Sequence, residues 1–280
     1  MILGLVTAAG AVAAETPAEA RPPGAVAAAP AVAQANSRNW AGYVVRQAGL
    51  HKITAHYRVP TVDCAHLPPR ALTYTNTSVW VGLDGGLAGG NTSIEQVGVD
   101  ADCVGGNVPE YQAWWEMEGP GADTGSHDLP TATYPVLPGD FIKSAVDWDS
   151  GNTFTLTLIN YGTATPATGP ALWTFSRQVS LPPDDMPQLN SAEAVVERPV
   201  DIGQLLCLSN FGTVDFLRVK VNAEPLRDFD ATSTALTLLQ DTIDPNPPPG
   251  NVLATPGPVV PQAGDAFTVT WHAYGSPRGQ

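Results

Sequence analysis

The sequence is poor in positive charge. Its 280 residues include 27 Asp and Glu but only 13 Lys and Arg, which gives a formal net charge of −14 at pH 7. Nucleic acids and anionic membranes are bound through basic patches, so we expect neither as a partner, and we expect a monomer. Carboxylates are neutral in strong acid, so the composition fits an acidic habitat as well as simple anionic solubility.

Several common signatures of catalytic chemistry are also absent. The sequence has no G-x-S-x-G nucleophile elbow, no H-E-x-x-H zinc motif and no glycine-rich phosphate loop. The histidines are scattered without the spacing of metal ligands: His51, His56, His66, His127 and His272. We therefore expect neither a metal nor another cofactor.

Cysteine is scarce, with only Cys64, Cys103 and Cys207. In an exported protein, three cysteines are most simply explained by one disulfide and one remaining thiol. Cys64 and Cys103 both lie in loop-like segments next to predicted strands, so we predict that they form the disulfide. The state of Cys207 stays open.

The beginning of the chain differs in amino-acid composition from the rest. Residues 1–14 form a short apolar run that ends in small residues, as in a secretory signal, although the usual basic start is missing. The run is too short for a membrane span. Residues 15–36 are rich in Ala and Pro and are predicted to be a pro-segment or linker. We expect a secreted, extracellular protein with a single catalytic domain at 37–280.

Glycine and proline, with 27 residues each, make up about a fifth of the chain. Helix interiors tolerate neither residue, and short alternating segments separated by turns run through the domain. This pattern predicts an all-β fold, an antiparallel two-sheet β-sandwich. Ala231–Gln240 is the one segment in which we expect a turn of helix, and Asp244–Gln262 is expected to be an extended loop.

Four of the predicted strands place aromatic and polar side chains on one face, because alternate residues of a strand share a face. These side chains are Trp80 and Asp84, Gln96 and Asp100, Trp114 and Glu116, and Glu193 and Glu197. One such strand could simply be half-exposed. Four together predict a cleft with aromatic walls and several carboxyl groups, because unused buried acids are costly.

A series of short motifs runs through the domain in a fixed order. They are Asn39-Trp40-Ala41-Gly42, Val59-Pro60, Trp80-Val81-Gly82-Leu83-Asp84-Gly85, Glu95-Gln96-Val97-Gly98-Val99-Asp100, Tyr111-Gln112-Ala113-Trp114-Trp115-Glu116, Gly139-Asp140, Ala192-Glu193-Ala194-Val195-Val196-Glu197 and Asn210-Phe211-Gly212-Thr213-Val214. In this order they resemble the glutamic peptidases, or eqolisins, which are acid endopeptidases on a concanavalin-like β-sandwich. The resemblance spans about residues 39–275 and implies a polypeptide substrate.

The resemblance also assigns roles. It implies that Gln96 and Glu197 are the catalytic pair, with Glu197 as general base and acid and Gln96 as the group that positions water and stabilises the oxyanion. Residues that match cleft-lining or supporting positions are Trp40, Trp80, Asp84, Asp100, Trp114 and Glu116. Two features depart from the family pattern: Ala194 replaces an aromatic residue, and Arg198-Pro199 replaces a more acidic continuation. Alternation places Ala194 and Arg198 off the Glu197 face.

Two properties of the site follow as expectations. Trp80 and Trp114 are expected to wall a groove for an extended peptide. A pKa of Glu197 near the ordinary value of about 4.3 would make it an acid or base in acidic solution, where histidine is charged.

Two other functions are compatible with the residues. A carbohydrate-active protein with the same fold would use Glu116 and Glu197 as paired carboxyls and leave Gln96 incidental. A non-catalytic binding module would need neither Gln96 nor Glu197.

Overall fold

The computed structural model describes the chain in segments, and all statements below refer to them: 32–67, 74–86, 93–119, 125–183, 185–201, 204–239, 252–260 and 265–275. The predicted signal-like segment 1–14 lies outside the described residues, as does 15–31 of the predicted linker. No helix in these segments is long and apolar enough to cross a membrane.

Strands are the main regular secondary structure of the described chain. The first nine are β1 (Ala33–Ser37), β2 (Trp40–Arg46), β3 (Lys52–Arg58), β4 (Ser78–Asp84), β5 (Ile94–Val104), β6 (Val108–Glu118), β7 (His127–Asp128), β8 (Phe141–Ser150) and β9 (Thr153–Asn160). The others are β10 (Trp173–Ser180), β11 (Ser191–Glu197), β12 (Val200–Asp201), β13 (Gln204–Leu205), β14 (Thr213–Val221), β15 (Glu224–Pro225), β16 (Ser233–Leu239), β17 (Val252–Pro256) and β18 (Phe267–Trp271). One 3₁₀ turn covers Leu226–Phe229.

The alternation of apolar and polar residues explains why the outer strands form. In β9, Phe154, Leu156 and Leu158 are buried while the threonines between them are only partly covered. Such a segment can bury one face and leave the other in contact with water, which is the arrangement of a strand on the surface of a sheet. In β4 every residue is buried, so the strand lies inside the fold and is covered on both faces.

The strands pair in the order β10-β9-β8-β3-β14-β18-β17-β16-β2-β11-β4-β5-β6-β7. These neighbours are antiparallel, whereas β1 joins β16 in parallel. The path folds over itself, so that β4 and β5 pack on β8 and β9 without hydrogen bonds. Val81, Val97 and Leu156 belong to the main core between these layers. The all-β antiparallel prediction is therefore confirmed.

Three local expectations need correction. Ala231–Gln240 contains the strand Ser233–Leu239 and not a turn of helix, because it is hydrogen-bonded between β2 and β17. The expected loop Asp244–Gln262 contains the strand Val252–Pro256, which joins β16 to β18. Residues 33–36, predicted as linker, form most of β1, and the preceding Val32 packs against the core. Residues 32–36 are thus part of the described fold and not of a linker.

The predicted disulfide between Cys64 and Cys103 is present. It links the segment after β3 to the end of β5, the strand that carries Gln96. Cys207 is a buried free thiol whose Sγ lies 3.6 Å from the Gly275 carbonyl oxygen. Burial raises the pKa of this thiol, which keeps it in the less reactive neutral form.

We expect replacement of Cys64 and Cys103 by serine to lower the free energy of unfolding by about 4 kcal/mol, because the bridge closes a loop of 39 residues. Denaturant unfolding at acidic pH measures this loss. Cys207→Ala is the matched control, since it removes a cysteine without opening a bridge. Equal losses in the two variants would contradict a specific role of the disulfide.

Candidate active site

A cleft of about 600 Å³ opens over β4, β5 and β6 and is bordered by the chain around residues 39–40 and 197–200. Six of the predicted site residues line it: Trp40, Gln96, Asp100, Trp114, Glu116 and Glu197. The structure therefore brings the predicted catalytic pair into one cavity. Trp80 and Asp84 are not among the lining residues and have supporting positions.

Strand register explains how distant segments meet in this cleft. β4 lies between β11 and β5, so the strands of Glu197 and Gln96 are separated by a single strand. Ser78 of β4 lies opposite Glu197 on one side and Asp100 on the other. Gln96 lies opposite Glu116 of β6. All of these residues share the face that alternation predicts.

Glu197 is held by two donors. Asn39 Nδ2 donates to Glu197 Oε1 at 3.0 Å, and Trp80 Nε1 donates to Oε2 at 2.7 Å. Burial nevertheless raises the pKa of Glu197 to about 7, and the charge of nearby Glu116 acts in the same direction. The expected pKa near 4.3 is therefore wrong, because the loss of hydration outweighs the hydrogen bonds. In acidic solution Glu197 is a neutral carboxylic acid.

Gln96 is almost completely buried, at 6% exposure, yet its side chain reaches the cleft. Its Nε2 donates to Glu116 Oε2, whereas Oε1 has no hydrogen-bond partner in the described part of the chain. Burial raises the pKa of Glu116, and the hydrogen bond from Gln96 opposes this shift. The amide is thus fixed at one end, with a free acceptor and a second N–H for a ligand.

Asp100 connects the cleft floor to its aromatic wall. It accepts hydrogen bonds from Ser78 Oγ and, at 2.8 Å, from Trp114 Nε1. Burial raises the pKa of Asp100 well above its ordinary value, and the charge of Asp102 adds to the effect. Burial also raises the pKa of Asp102 to about 6. Asp100 therefore orients the indole of Trp114, which lines the cleft as expected.

Trp80 was expected to wall the groove, and the structure corrects this. Its side chain has no exposed surface and packs with Ile94, Trp114 and Val195 in a small cluster beneath the cleft. Glycine makes room for it: a Cβ on Gly98 would lie 2.5 Å from Trp80 Cβ. Trp80 therefore supports the floor and presents its N–H to Glu197.

Asp84 supports the site from the end of β4. It is buried, and its carboxylate accepts the backbone N–H groups of Gln188, Leu189 and Asn190 at 2.9–3.1 Å. These residues lead directly into β11. Asp84 thus fixes the start of the strand that carries Glu197.

With this geometry in place, the relationship to known proteins is clear. Residues 38–242 match the Peptidase A4 family. The chain belongs to this family. The predicted resemblance to the glutamic peptidases, or eqolisins, is thus confirmed, and the chain is a glutamic endopeptidase.

Individual relatives agree with this membership. The chain is 28% identical to Aspergillopepsin-2 of Aspergillus niger over 248 residues, which cover 84% of this chain and 78% of that protein. It resembles scytalido-glutamic peptidase with a TM-score of 0.60 at 19% identity, and SCP-B of the eqolisin family with 0.57 at 18%. Each comparison covers 84% of this chain and 98% of the other. The shared shape confirms the predicted fold class.

The glutamic peptidase departs from its family pattern without disturbing the cleft face. Ala194 is buried in the main core, on the opposite side of β11 from Glu197. Arg198 is fully buried, with its backbone N donating to the Asn39 carbonyl at 2.6 Å and its Nε donating to the Leu206 carbonyl. Both side chains thus lie off the Glu197 face, as alternation predicts.

Sequence reasoning missed several cleft residues: Asn39, Asn76, Ser78, Ile94, Asp102, Glu118, Pro199 and Val200. Asn39 is the most consequential, because it donates to Glu197 from 158 residues away in the sequence. Its place beside Trp40 in a family motif was the only available signal. Among the described residues, no group of three or more His, Cys, Asp or Glu could hold a metal ion.

We expect Asn39→Ala to raise the pKa of Glu197 above about 7, since Asn39 favours the charged form. The rise should be roughly one unit, because a hydrogen bond to a charged group contributes about 1.5 kcal/mol. Carbon-13 NMR titration of the glutamate carboxyls measures it. Asn76→Ala is the control, because Asn76 donates to Asp102 in the same cleft. An unchanged Glu197 titration in Asn39→Ala would contradict the assigned contact.

Proposed function

We propose that the chain is a secreted, acid-active endopeptidase in which Glu197 transfers protons and Gln96 positions the water and stabilises the developing oxyanion. The observation that carries this proposal is the meeting of both side chains in one cleft, on strands separated only by β4. Glu197 is anchored by Asn39 and Trp80, and Gln96 by Glu116. Such anchoring holds reactive groups in place before the substrate arrives.

The raised pKa of Glu197 decides how the cycle begins. A neutral carboxyl has one oxygen that can accept a proton and one O–H that can donate. While water attacks the scissile carbonyl carbon, one Glu197 oxygen takes a proton from the water and the other gives its own proton to the carbonyl oxygen. Gln96 orients the water through its free Oε1 and donates its second N–H to the carbonyl oxygen as negative charge develops.

Breakdown of the tetrahedral intermediate reverses these roles. Glu197 gives its proton to the departing nitrogen and takes one from a hydroxyl of the intermediate as the C–N bond breaks. The products are a carboxylic acid and an amine, and Glu197 returns to its neutral form. No net proton is left on the enzyme, so the cycle can repeat in acid.

Bound ligands of the relatives support a peptide in the cleft. Scytalido-glutamic peptidase was solved with a peptide-based transition state analog, and SCP-B with the tripeptide Ala-Ile-His. We propose that an extended polypeptide occupies the corresponding cleft here, with the indole of Trp114 against it. The glycosidase alternative loses support, because Glu116, its second catalytic carboxyl, instead accepts a hydrogen bond from Gln96.

The cellular setting and partners belong to the same proposal. The disulfide between Cys64 and Cys103 fits an oxidising compartment, and the signal-like start of the chain fits export. The net charge of −14 opposes binding to nucleic acid or to an anionic membrane. We propose a secreted monomer that acts on polypeptides alone.

We expect Glu197→Gln to lower kcat for cleavage of a denatured protein by at least about 10³-fold, and Gln96→Ala to lower it by about 10²–10³-fold. The first loses proton transfer and the second loses one oxyanion donor. Glu224→Gln and Gln178→Ala are matched controls on exposed positions of β15 and β10. Proteolysis that survives in Gln96→Ala would overturn the mechanism, whereas cleavage of oligosaccharides abolished by Glu116→Ala would favour the glycosidase.

The pH dependence provides a separate test of the protonation state. If neutral Glu197 is the active form, kcat/KM should stay nearly constant between about pH 4 and pH 6, below its pKa of about 7. If an ionised Glu197 were required, kcat/KM would rise about 100-fold over the same range. Initial rates on a peptide, with tryptophan fluorescence recorded in parallel to verify folding, separate these outcomes.

A further inference from the structure

Two glutamates that the mechanism does not use are sealed inside the fold beside the catalytic strands. Glu95 and Glu193 each have no exposed surface. Within the described residues, none of their carboxyl oxygens has a hydrogen-bond partner. Glu95 directly precedes Gln96 on β5, and Glu193 precedes Glu197 by four residues on β11. Neither lines the cleft.

Glu193 packs closely against the turn at Gly86. A Cβ added to Gly86 would lie 2.4 Å from Glu193 Oε1 and 2.6 Å from a methyl group of Val44. Arg46 of β2 is the cation that faces Glu193. Its guanidinium is already bound, with Nε donating to the Gly86 carbonyl and Nη1 to Thr234 Oγ1, both at 2.8 Å.

The remaining charged groups near the two glutamates are acidic. Asp84 at the end of β4 acts on both, and Glu95 also acts on Glu193. Burial raises the pKa of Asp84, although the backbone N–H groups of residues 188–191 favour its charged form. Burial also raises the pKa of Glu95 and of Glu193 well above the ordinary value. The nearby hydroxyls of Ser93 and Ser191 favour the charged forms, but neither is in hydrogen-bonding geometry with a carboxyl oxygen.

An ionised carboxylate without a partner is very costly in such surroundings, so the folded protein keeps both groups neutral. In the unfolded chain they ionise above about pH 4.3. Because the folded-state pKa is higher than the unfolded-state pKa, the unfolded state binds fewer protons between these values. Stability is therefore greatest in acid and falls as the pH rises through this window.

We propose that neutral Glu95 and Glu193 are positioning residues: only in the neutral form do they let β5 and β11, the strands that carry Gln96 and Glu197, pack in place on either side of β4. Their ionisation then disassembles the cleft as the pH rises from acidic to neutral. The expected loss of activity rests on the proposed function of Gln96 and Glu197. The expected unfolding does not, because it depends only on the burial of Glu95 and Glu193 and on their missing hydrogen bonds.

The test replaces each glutamate by its neutral isostere. Glu95→Gln, Glu193→Gln and the double variant are prepared in the parent and in the Glu197→Gln background, which prevents self-digestion. The pH is raised from about 4 to 8 while the fluorescence of the cleft tryptophans is followed. We expect the midpoint of unfolding to move to higher pH, by about one unit in the double variant. Glu224→Gln, an exposed glutamate on β15, should leave the midpoint unchanged.

Activity tests the positioning role separately. Parent and double variant are exposed to neutral pH, returned to acid and assayed on a peptide at once, before refolding is complete. We expect the double variant to retain activity that the parent loses. If the fluorescence midpoint moves but the loss of activity does not, the positioning role is wrong and the proposed function still stands. If the peptidase assay fails in every sample, the fluorescence shift remains interpretable.

An unchanged midpoint in the double variant would overturn the proposal. If the variants do not fold in acid, infrared spectroscopy of the parent decides instead. Protonated carboxyl bands for two groups beyond Asp100 and Glu197, which persist to the pH of unfolding and disappear with it, would support the proposal. A folded parent at about pH 6 with no protonated carboxyl beyond Asp100 and Glu197 would overturn it.

Discussion

The hydrogen bond from Trp80 to Glu197 is the contact on which the cleft depends. A buried indole N–H needs an acceptor, and a carboxyl in a cleft needs a donor to fix its orientation. The bond at 2.7 Å meets both needs and ties β4 to β11. Glycine at position 98 leaves room for Trp80 against the sheet. The motifs around Trp80 and Gly98 therefore both contribute to placing the indole. The Glu197 carboxyl is thereby anchored to a fully buried side chain of the floor.

Loss of hydration is the second constraint, and it acts on the whole acidic interior. Burial raises the pKa of Glu95, Asp100, Glu193 and Glu197. Most of the charged groups that act on these carboxyls are themselves acidic, so protonation is the available solution. The same condition that keeps the fold intact also supplies Glu197 in the neutral form that the proposed cycle uses. The proposed acid stability and the proposed acid chemistry thus have one physical origin.

Much of the site was readable from local patterns. Alternation along single strands put Gln96 with Asp100, and Trp114 with Glu116, on one face, and the structure keeps those faces. Alternation also placed Ala194 away from Glu197. Alternation could not show whether a tryptophan lines the cleft or lies buried beneath it, so Trp80 was wrongly expected to wall the groove. It could not reveal Asn39 as a partner of Glu197 either, because the pairing of β2 with β11 joins segments that are far apart in the sequence. Strands β16 and β17 were missed because their own sequences do not indicate strands. They are strands because they hydrogen-bond to each other and to β2 and β18.

The sequence by itself determined the all-β class and the disulfide, through composition and the local context of the residues. Its ordered motifs determined the family, and the resemblance to that family selected the two residues proposed for catalysis. Only the tertiary structure decided which acids lose their water. The pKa of Glu197 depends on what covers it, and the isolation of Glu95 and Glu193 depends on neighbours from β2, β4 and the turn at Gly86. Hydration is a property of three-dimensional packing, so no one-dimensional pattern could show that these carboxyls are neutral.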